Sequence, residues 1–330
     1  MENQTTVTEF ILLGIYSDPQ MQIFLFSVFL VIYLITLSGN IVIMVVIRAD
    51  SHLHTPTYFF LFHLSFVDIC YSSVMIPNVL RNFLAEHKTI SVNGCIAQIF
   101  FILLSAATEA FILSAISYDR YAAICDPLHY VERISKGICV QLVSGAWAIG
   151  FFHALLNTIF ASKLCFCGPN EINHFSWELP PLLQRSCTDT LTNQVVLLTS
   201  VVIFGSSSFL LTLISYIHII STVLRIPSVE GRHKAFSTCS SHLIVVGLLY
   251  LAGFLQYTKP RSVSSVVLDE IFSIQYSVLI PMLNPIIYSL KNKEVKKSLR
   301  KMLGKLKFLK QSFSSTKQTE ISANRTLNLV

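Results

Sequence analysis

A chain of 330 residues that is 53% hydrophobic and only 13% charged cannot clothe a water-soluble surface, because soluble domains carry about a quarter charged residues. Its apolar residues must face lipid as well as each other, which excludes an ordinary soluble enzyme or binding module. The formal net charge of +6 is concentrated between Lys291 and Lys317, behind the last apolar stretch, where it suits anionic lipid headgroups and a cytoplasmic partner better than nucleic acid.

In chain order, Met1–Pro19 is polar and lacks a basic n-region followed by a short apolar core. No cleavable signal peptide is visible, so the first apolar span is expected to act as its own insertion signal. A membrane helix needs about 20 mostly apolar residues to cross about 30 Å of hydrocarbon. Uncharged runs of that length lie between Asp18 and Arg48, Lys136 and Lys163, Asp189 and Arg225, Lys234 and Lys259, and Glu270 and Lys291. Two further spans, Pro56–Leu80 and Cys95–Ile124, are apolar but carry Asp68 in the one and Glu109 and Asp119 in the other. The expected fold is all-α, a bundle of seven transmembrane helices. Residues 1–22 form an extracellular N-terminus, 23–290 the transmembrane domain and 291–330 a cytoplasmic tail. No repeat or low-complexity block interrupts the spans, and the longest connection is roughly Ser162–Thr190.

Lys and Arg set the orientation. With the N-terminus outside, Arg48, Arg120, Arg133, Lys136, Arg225, Arg232, Lys234, ten tail Lys/Arg from Lys291 to Lys317 and Arg325 fall inside. Arg81, Lys88, Lys163, Arg185, Lys259 and Arg261 fall outside. The loops alone divide almost evenly and the tail decides. The sequon Asn3-Gln4-Thr5 makes Asn3 a glycosylation site on the outer side, and Cys95, Cys165, Cys167 and Cys187 share that oxidising side. The expected location is therefore the plasma membrane, multi-pass. Cys70, Cys125, Cys139 and Cys239 lie in or below the membrane and read as small core residues.

An ionisable side chain at mid-bilayer costs about 2.5–3.5 kcal/mol on insertion scales. Asp68 and Glu109 lie near the middle of their spans, with Asn40 and Asn284 at comparable depth in the first and seventh. A polar cluster linking four helices follows. It reads as interhelical hydrogen-bond glue, as a cation site for Na+ at Asp68 and Glu109, or as a switch between two helix arrangements. Asp119-Arg120-Tyr121 closes the third span. Pro281 and Pro285 interrupt the ladder near Asn284 and offer a hinge.

Gly39-Asn40, Asp68, Asp119-Arg120-Tyr121 and Asn284-Pro285 followed by Tyr288 together resemble the marks of the rhodopsin-like G-protein-coupled receptors. Within that superfamily LHTPTYFFLFHLSFVD (Leu53–Asp68), ISYDRYAAICDPLHY (Ile116–Tyr130), ISY (Ile214–Tyr216), KAFSTCSSHL (Lys234–Leu243) and PMLNPIIYSLKNKEV (Pro281–Val295) are similar to the odorant-receptor signatures. TEFILLGI (Thr8–Ile15) is similar as well, so the resemblance runs from about Thr8 to Leu303.

The resemblance implies a receptor that takes small volatile ligands and activates a stimulatory heterotrimeric G protein, raising cyclic AMP. Arg120 would be held by Asp119 at rest and freed as the inner end of the sixth helix moves. Tyr216 and Tyr288 would support the active arrangement, and His242 would line the inner half of the sixth helix. Lys291–Leu303 would form an amphipathic helix on the inner leaflet. The ligand would sit in the outer half of the bundle. Its expected neighbours are Ile102, Leu103, Ala106 and Ala107 on the third helix and Ser200, Val201 and Phe204 on the fifth. Tyr250, Gly253, Phe254 and Tyr257 on the sixth and Ile274 and Ser277 on the seventh complete the set. No acid lies in that layer of the third helix, which disfavours an amine.

The family usually has a cysteine where this chain has Trp177, and that cysteine pins the long outer loop to the position of Cys95. The expectation here is that Cys95 pairs with Cys187 or Cys165, and that Cys167 pairs with Cys187 if Cys187 is left free. Rival readings are a receptor of the same lineage sensing a metabolite outside the nose, and a seven-span transporter using Asp68 and Glu109 as an ion path. The lack of inverted repeats speaks against the transporter. No H-E-x-x-H, no G-x-S-x-G and no membrane-embedded acid pair in a protease-like Y-D/G-x-G-D setting speaks for an enzyme, and no resident metal or cofactor is expected beyond that Na+.

Overall fold

The computed structural model describes residues 7–12, 18–85, 89–167, 171–172, 179–258 and 274–304. Seven long helices run in chain order: α1 (Pro19–Ala49), α2 (Pro56–Leu84), α3 (Val92–Cys125), α4 (Lys136–Ala161), α5 (Leu191–Leu224), α6 (Val229–Thr258) and α7 (274–291). Short polar residues start several of them, as expected where the first-turn N–H groups have no partner in the helix. Asp18 accepts from Gln20 N, Ser91 from Gly94 N and Ser135 from Ile138 N. Pro19 and Pro56 stand in the first turns of α1 and α2, where no N–H is needed.

The first five helices are each long and apolar enough to cross a membrane. α6 is a sixth span, with its limbs Val229–Ser237 and His242–Leu251 bent by 48°. The apolar part of α7, Ser277–Tyr288, is shorter. α7 opens with a π-helical turn, Gln275–Leu279. That turn ends just before Pro281, which has no N–H to return to the carbonyl four residues back.

α3 is the central helix and packs on α2, α4, α5 and α6, while α7 closes the ring against α1, α2 and α6. Two helix crossings are close enough to favour glycine. A Cβ on Gly150 of α4 would lie 2.8 Å from the Leu104 carbonyl oxygen of α3, and one on Gly39 of α1 would lie 3.0 Å from the Pro285 ring of α7. Small residues at such crossings let backbones approach where lipid offers no hydrophobic drive. The bundle is also inverted relative to a soluble protein. Phe24, Leu34, Phe152, Val202 and Leu211 are exposed on its flank, whereas Asn40, Asp68, Thr108, Glu109 and Asn284 are at most 2% exposed within it.

After Asn292 the chain forms α8 (293–304). Asn292 Oδ1 caps it, accepting from Glu294 N (3.0 Å) and Val295 N (3.2 Å). Val295, Ser298, Leu299 and Met302 face inward, while Lys293, Lys296, Lys297, Arg300 and Lys301 are exposed. That is the amphipathic helix the sequence led us to expect. Ser298 Oγ donates to Asp50 Oδ2 (2.7 Å), which fastens α8 to the α1–α2 turn.

At the opposite end lies a small sheet that the sequence did not announce. β1 (Glu9–Leu12) runs between β2 (Thr89–Ser91), its antiparallel neighbour, and β3 (Glu171–Ile172), its parallel one. Phe10 is wholly buried beneath it, edge-on to Phe166 with ring centroids 5.0 Å apart. Cys95, Ile99, Leu182 and Leu197 complete that cluster.

The cysteines require a correction. Cys167 and Cys187 form a disulfide, their Cα atoms 5.9 Å apart, within the usual span. Cys95 pairs with neither Cys187 nor Cys165. The antiparallel Phe166–Ser186 bridge and Cys187 N donating to Cys165 O set the Cys165 backbone opposite Cys187, yet it is Cys167, two residues on, whose sulfur bonds to Cys187. Cys95 stays a free thiol inside the apolar cluster, and Cys165 is free and exposed. Asn3, Trp177 and the tail beyond residue 304 lie outside the described residues.

Candidate functional site

Between α3, α4, α5 and α6, on the sheet side of the bundle's middle, is a cavity of about 750 Å³. Its size falls in the range of ligand pockets. Ile102, Leu103, Ala106 and Ala107 supply the α3 wall, and Val201 and Phe204 part of the α5 wall. Tyr250, Gly253 and Phe254 supply part of the α6 wall. The side chain of Tyr257 is outside the described residues.

Three expected residues are not in the wall. Ser200 precedes Val201 and is turned about 100° round α5 from it. It faces α4, accepting from Asn157 Nδ2 (3.1 Å) and donating to Leu197 O (2.9 Å). Ile274 packs beside Val278 against the Phe29, Tyr71 and Ile102 cluster, and Ser277 is 1% exposed. This part of α7 packs on α2, α6 and the cluster shared with α1 and α3, and its side chains do not line the cavity. The expectation also missed several residues. Leu179 and Pro180, from the short helix Leu179–Leu183, border the cavity. His153 of α4 is the missed residue of most chemical interest. Its only sequence signal was an imidazole in a span otherwise without ionisable groups beyond Cys139.

Deeper in the bundle, α2, α3 and α7 meet at one amide. Asn284 Nδ2 lies 3.1 and 3.0 Å from the two oxygens of Asp68 and 3.3 Å from Glu109 Oε1. Asn40 belongs to a neighbouring link, donating from α1 to Pro281 O (3.1 Å) of α7. The expected four-helix cluster is thus a three-helix knot plus a separate α1–α7 bond. The Asn284 Oδ1 acceptor is buried without a hydrogen-bond partner among the described residues. No group of three or more His, Cys, Asp or Glu able to hold a metal ion occurs among the described residues.

Toward the α8 end, the partners of Asp119 differ from the expected Arg120. Thr57 Oγ1 donates to its Oδ2 (2.6 Å) and Tyr130 OH to its Oδ1 (2.7 Å). Successive residues on a helix point about 100° apart, so the acid faces α2 and the short helix Tyr130–Arg133. Arg120 faces the interior, close enough to act electrostatically on Tyr58, Tyr216, His242 and Tyr288. Burial, then the Asp119 charge, pushes the Tyr130 phenol above its ordinary range and keeps it a donor. Tyr121 lies beside His218 of α5, ring centroids 5.6 Å apart.

His242 bridges three helices: Nε2 is 3.0 Å from Leu113 O and Nδ1 is 2.8 Å from Tyr216 OH. The carbonyl requires the proton on Nε2, so Tyr216 donates to Nδ1.

Comparison with known proteins gives one answer throughout. The family model described as Olfactory receptor matches residues 29–306. Human Olfactory receptor 8S1 is 51% identical over 300 residues, covering 90% of this chain and 83% of that protein. Human Olfactory receptor 5A1 is 50% identical over 92% of this chain and 97% of its own length. Mouse Olfactory receptor 5G9 is 47% identical, covering 94% of this chain and 99% of that protein.

Proposed function

Because the chain belongs to the olfactory receptor family, a family of seven-helix multi-pass membrane receptors, we propose that it binds a small, mostly apolar volatile ligand in the α3–α6 cavity. It then activates a stimulatory heterotrimeric G protein and raises cyclic AMP. The observation that carries the reading is the separation of two ends. An uncharged cavity of about 750 Å³ lies toward the sheet end, while Arg120, Tyr216 and His242 lie toward the end where α8 displays its Lys and Arg side chains. With the basic end inside, the N-terminus is extracellular. Such a molecule is a receptor, not an enzyme, and its partners are the odorant, the G protein and the bilayer.

We propose further that the three-helix knot takes a sodium ion, with the Asn284 amide, which now points Nδ2 at both acids, turning its oxygen toward them. Asp68, Glu109 and the unpartnered Asn284 Oδ1 offer hard oxygen donors. Two facing carboxylates cannot both stay ionised cheaply without a cation or proton. A bound cation would balance that charge and hold α2, α3 and α7 together. Its signature is a thermal stabilisation of the purified receptor by NaCl over choline chloride that Asp68→Asn abolishes.

The receptor reading is tested by cyclic AMP in cells expressing the full chain with a trafficking helper, across volatile alcohols, aldehydes, esters and acids. A response that disappears in Arg120→Ala while surface staining persists supports it. A surface-exposed wild type silent to the whole panel, or ion flux that survives Arg120→Ala and is lost in Asp68→Asn, rejects it.

A further inference from the structure

None of the side chains lining the cavity is Asp, Glu, Lys or Arg, so a charged ligand would find no counter-charge there. The few polar groups in the wall are unequal. Ser206 and Ser208 already donate to carbonyls of their own helix, Ile203 O and Gly205 O. The Tyr250 hydroxyl is buried and has no hydrogen-bond partner among the described residues. His153, 5% exposed, stands with its ring edge-on to Phe204, centroids 5.5 Å apart.

The proton on His153 can be located from its neighbours. Asn157 Nδ2 lies 2.9 Å from the backbone carbonyl of His153. That contact fixes the amide, since the flipped group would set oxygen against oxygen. The same nitrogen donates to Ser200 Oγ (3.1 Å) and faces His153 Nδ1 at 3.5 Å. An N–H on Nδ1 would point at an NH₂ group, so the neutral ring carries its proton on Nε2. No hydrogen bond to Nε2 is formed by any described residue. The α4 wall therefore presents one N–H donor to a mostly apolar space.

We infer that the Nε2–H of His153 is the polar anchor of the cavity, selecting uncharged ligands with a carbonyl oxygen (aldehydes, ketones, esters) over hydrocarbons of equal length. This rests on the reading that the odorant occupies this cavity. A carbonyl only accepts, which is what His153 offers to satisfy. A hydrocarbon leaves the donor unmet. A carboxylate brings a charge with no partner. The deletion of one buried hydrogen bond corresponds to about a tenfold change in affinity.

The test uses the full-length receptor in phosphatidylcholine nanodiscs, with ligand-induced thermal stabilisation as the readout. The probes are C8, C10 and C12 aldehydes, 2-ketones and methyl esters against terminal alkenes of the same length. The wild type should respond to carbonyl compounds at about tenfold lower concentration than to alkenes. His153→Phe keeps the ring contact with Phe204 and should erase that difference. His153→Gln restores a donor and should recover part of it. The wild-type comparison needs no variant, so misfolding of His153→Phe would not shield the idea. Equal response to carbonyls and alkenes in the wild type overturns the inference, as does a carbonyl preference unchanged in His153→Phe. Either result leaves the receptor reading standing. Stabilisation by no probe at all, or by every probe equally in Gly253→Leu, whose side chain grows into the cavity, overturns the assignment of the cavity itself and the inference with it.

Discussion

The α3–α4 contact at Gly150 permits a quantitative prediction. A Cβ there would sit 2.8 Å from the Leu104 carbonyl oxygen and 3.3 Å from Thr108 N, and would collide with Thr108 Oγ1. Ordinary C···O contacts lie near 3.3–3.6 Å, so α3 and α4 must separate by about half an ångström along their longest seam. Overpacking of this kind costs about 1–3 kcal/mol. The obstacle includes backbone, which cannot swing aside as a side-chain tip can. Gly145, on the same helix, has nothing within 4 Å of its would-be Cβ, which makes it the internal control. Both Gly→Ala changes gain the same helix propensity, about 1 kcal/mol, so that benefit cancels. Gly150→Ala should then be less stable than Gly145→Ala by about 1–3 kcal/mol. The readouts are thermal unfolding of the purified receptor and surface staining in cells. Adding Thr108→Ala removes the hydroxyl but not the Leu104 carbonyl, so it should rescue only part of the loss. A Gly150→Ala protein as stable as Gly145→Ala, or more so, would refute the packing argument.

Tyr216→Phe leaves His242 Nδ1 without its donor and should cost about 1–3 kcal/mol in thermal stability. With His242→Phe as the second arm, a double-mutant cycle should give a combined loss smaller than the sum, and strict additivity would argue against the bond. At the α1–α2 turn, the hydrogen bond from Ser298, then those from His52, hold the Asp50 carboxyl well below its ordinary range. A depressed carboxylate contributes stability that is fully present above its ordinary value near 3.9, and loses it as pH falls through the depressed value. Docking of α8 should therefore be unchanged from pH 7 to about pH 5. Asp50→Asn or Ser298→Ala should speed amide hydrogen exchange in residues 293–304 at neutral pH, and unchanged exchange would remove Asp50 from the role.

What was legible in the sequence follows from the cost of its alternatives. Asp68 and Glu109 stood out because a carboxylate in an apolar span needs a partner, and Asn284 is that partner. The amphipathic α8 was legible because Val295, Ser298 and Met302 keep helical spacing. Helix rotation was harder, because it is set by packing with other helices. Ser200 and Val201 are adjacent in sequence yet face different neighbours, and Ile274 packs against a cluster drawn from α1, α2 and α3. Arg120 is near enough to act on Asp119 electrostatically, but it is not its hydrogen-bonding partner, for the same geometric reason. Adjacent residues on one helix do not face each other, and the partners found, Thr57 and Tyr130, lie 62 and 11 residues away. β1 left no readable signal because a four-residue strand is specified by partners it meets only in the folded chain.

The placement of β1 at the centre of its sheet has a consequence for biosynthesis. β1 is among the first segments made, yet its neighbour β3 follows about 160 residues later, and elongation proceeds at about 5–20 residues per second. For roughly ten to thirty seconds on that arithmetic, Phe10 has no finished pocket and β1 keeps at least one open edge, because β2 is made about halfway through and β3 last. Only a nascent chain that has threaded its first four helices and delivered Cys167 beside Cys187 can cover them. The sheet is thus closed only after α4 has been made, and Phe10 is covered by residues from both ends of that half of the chain.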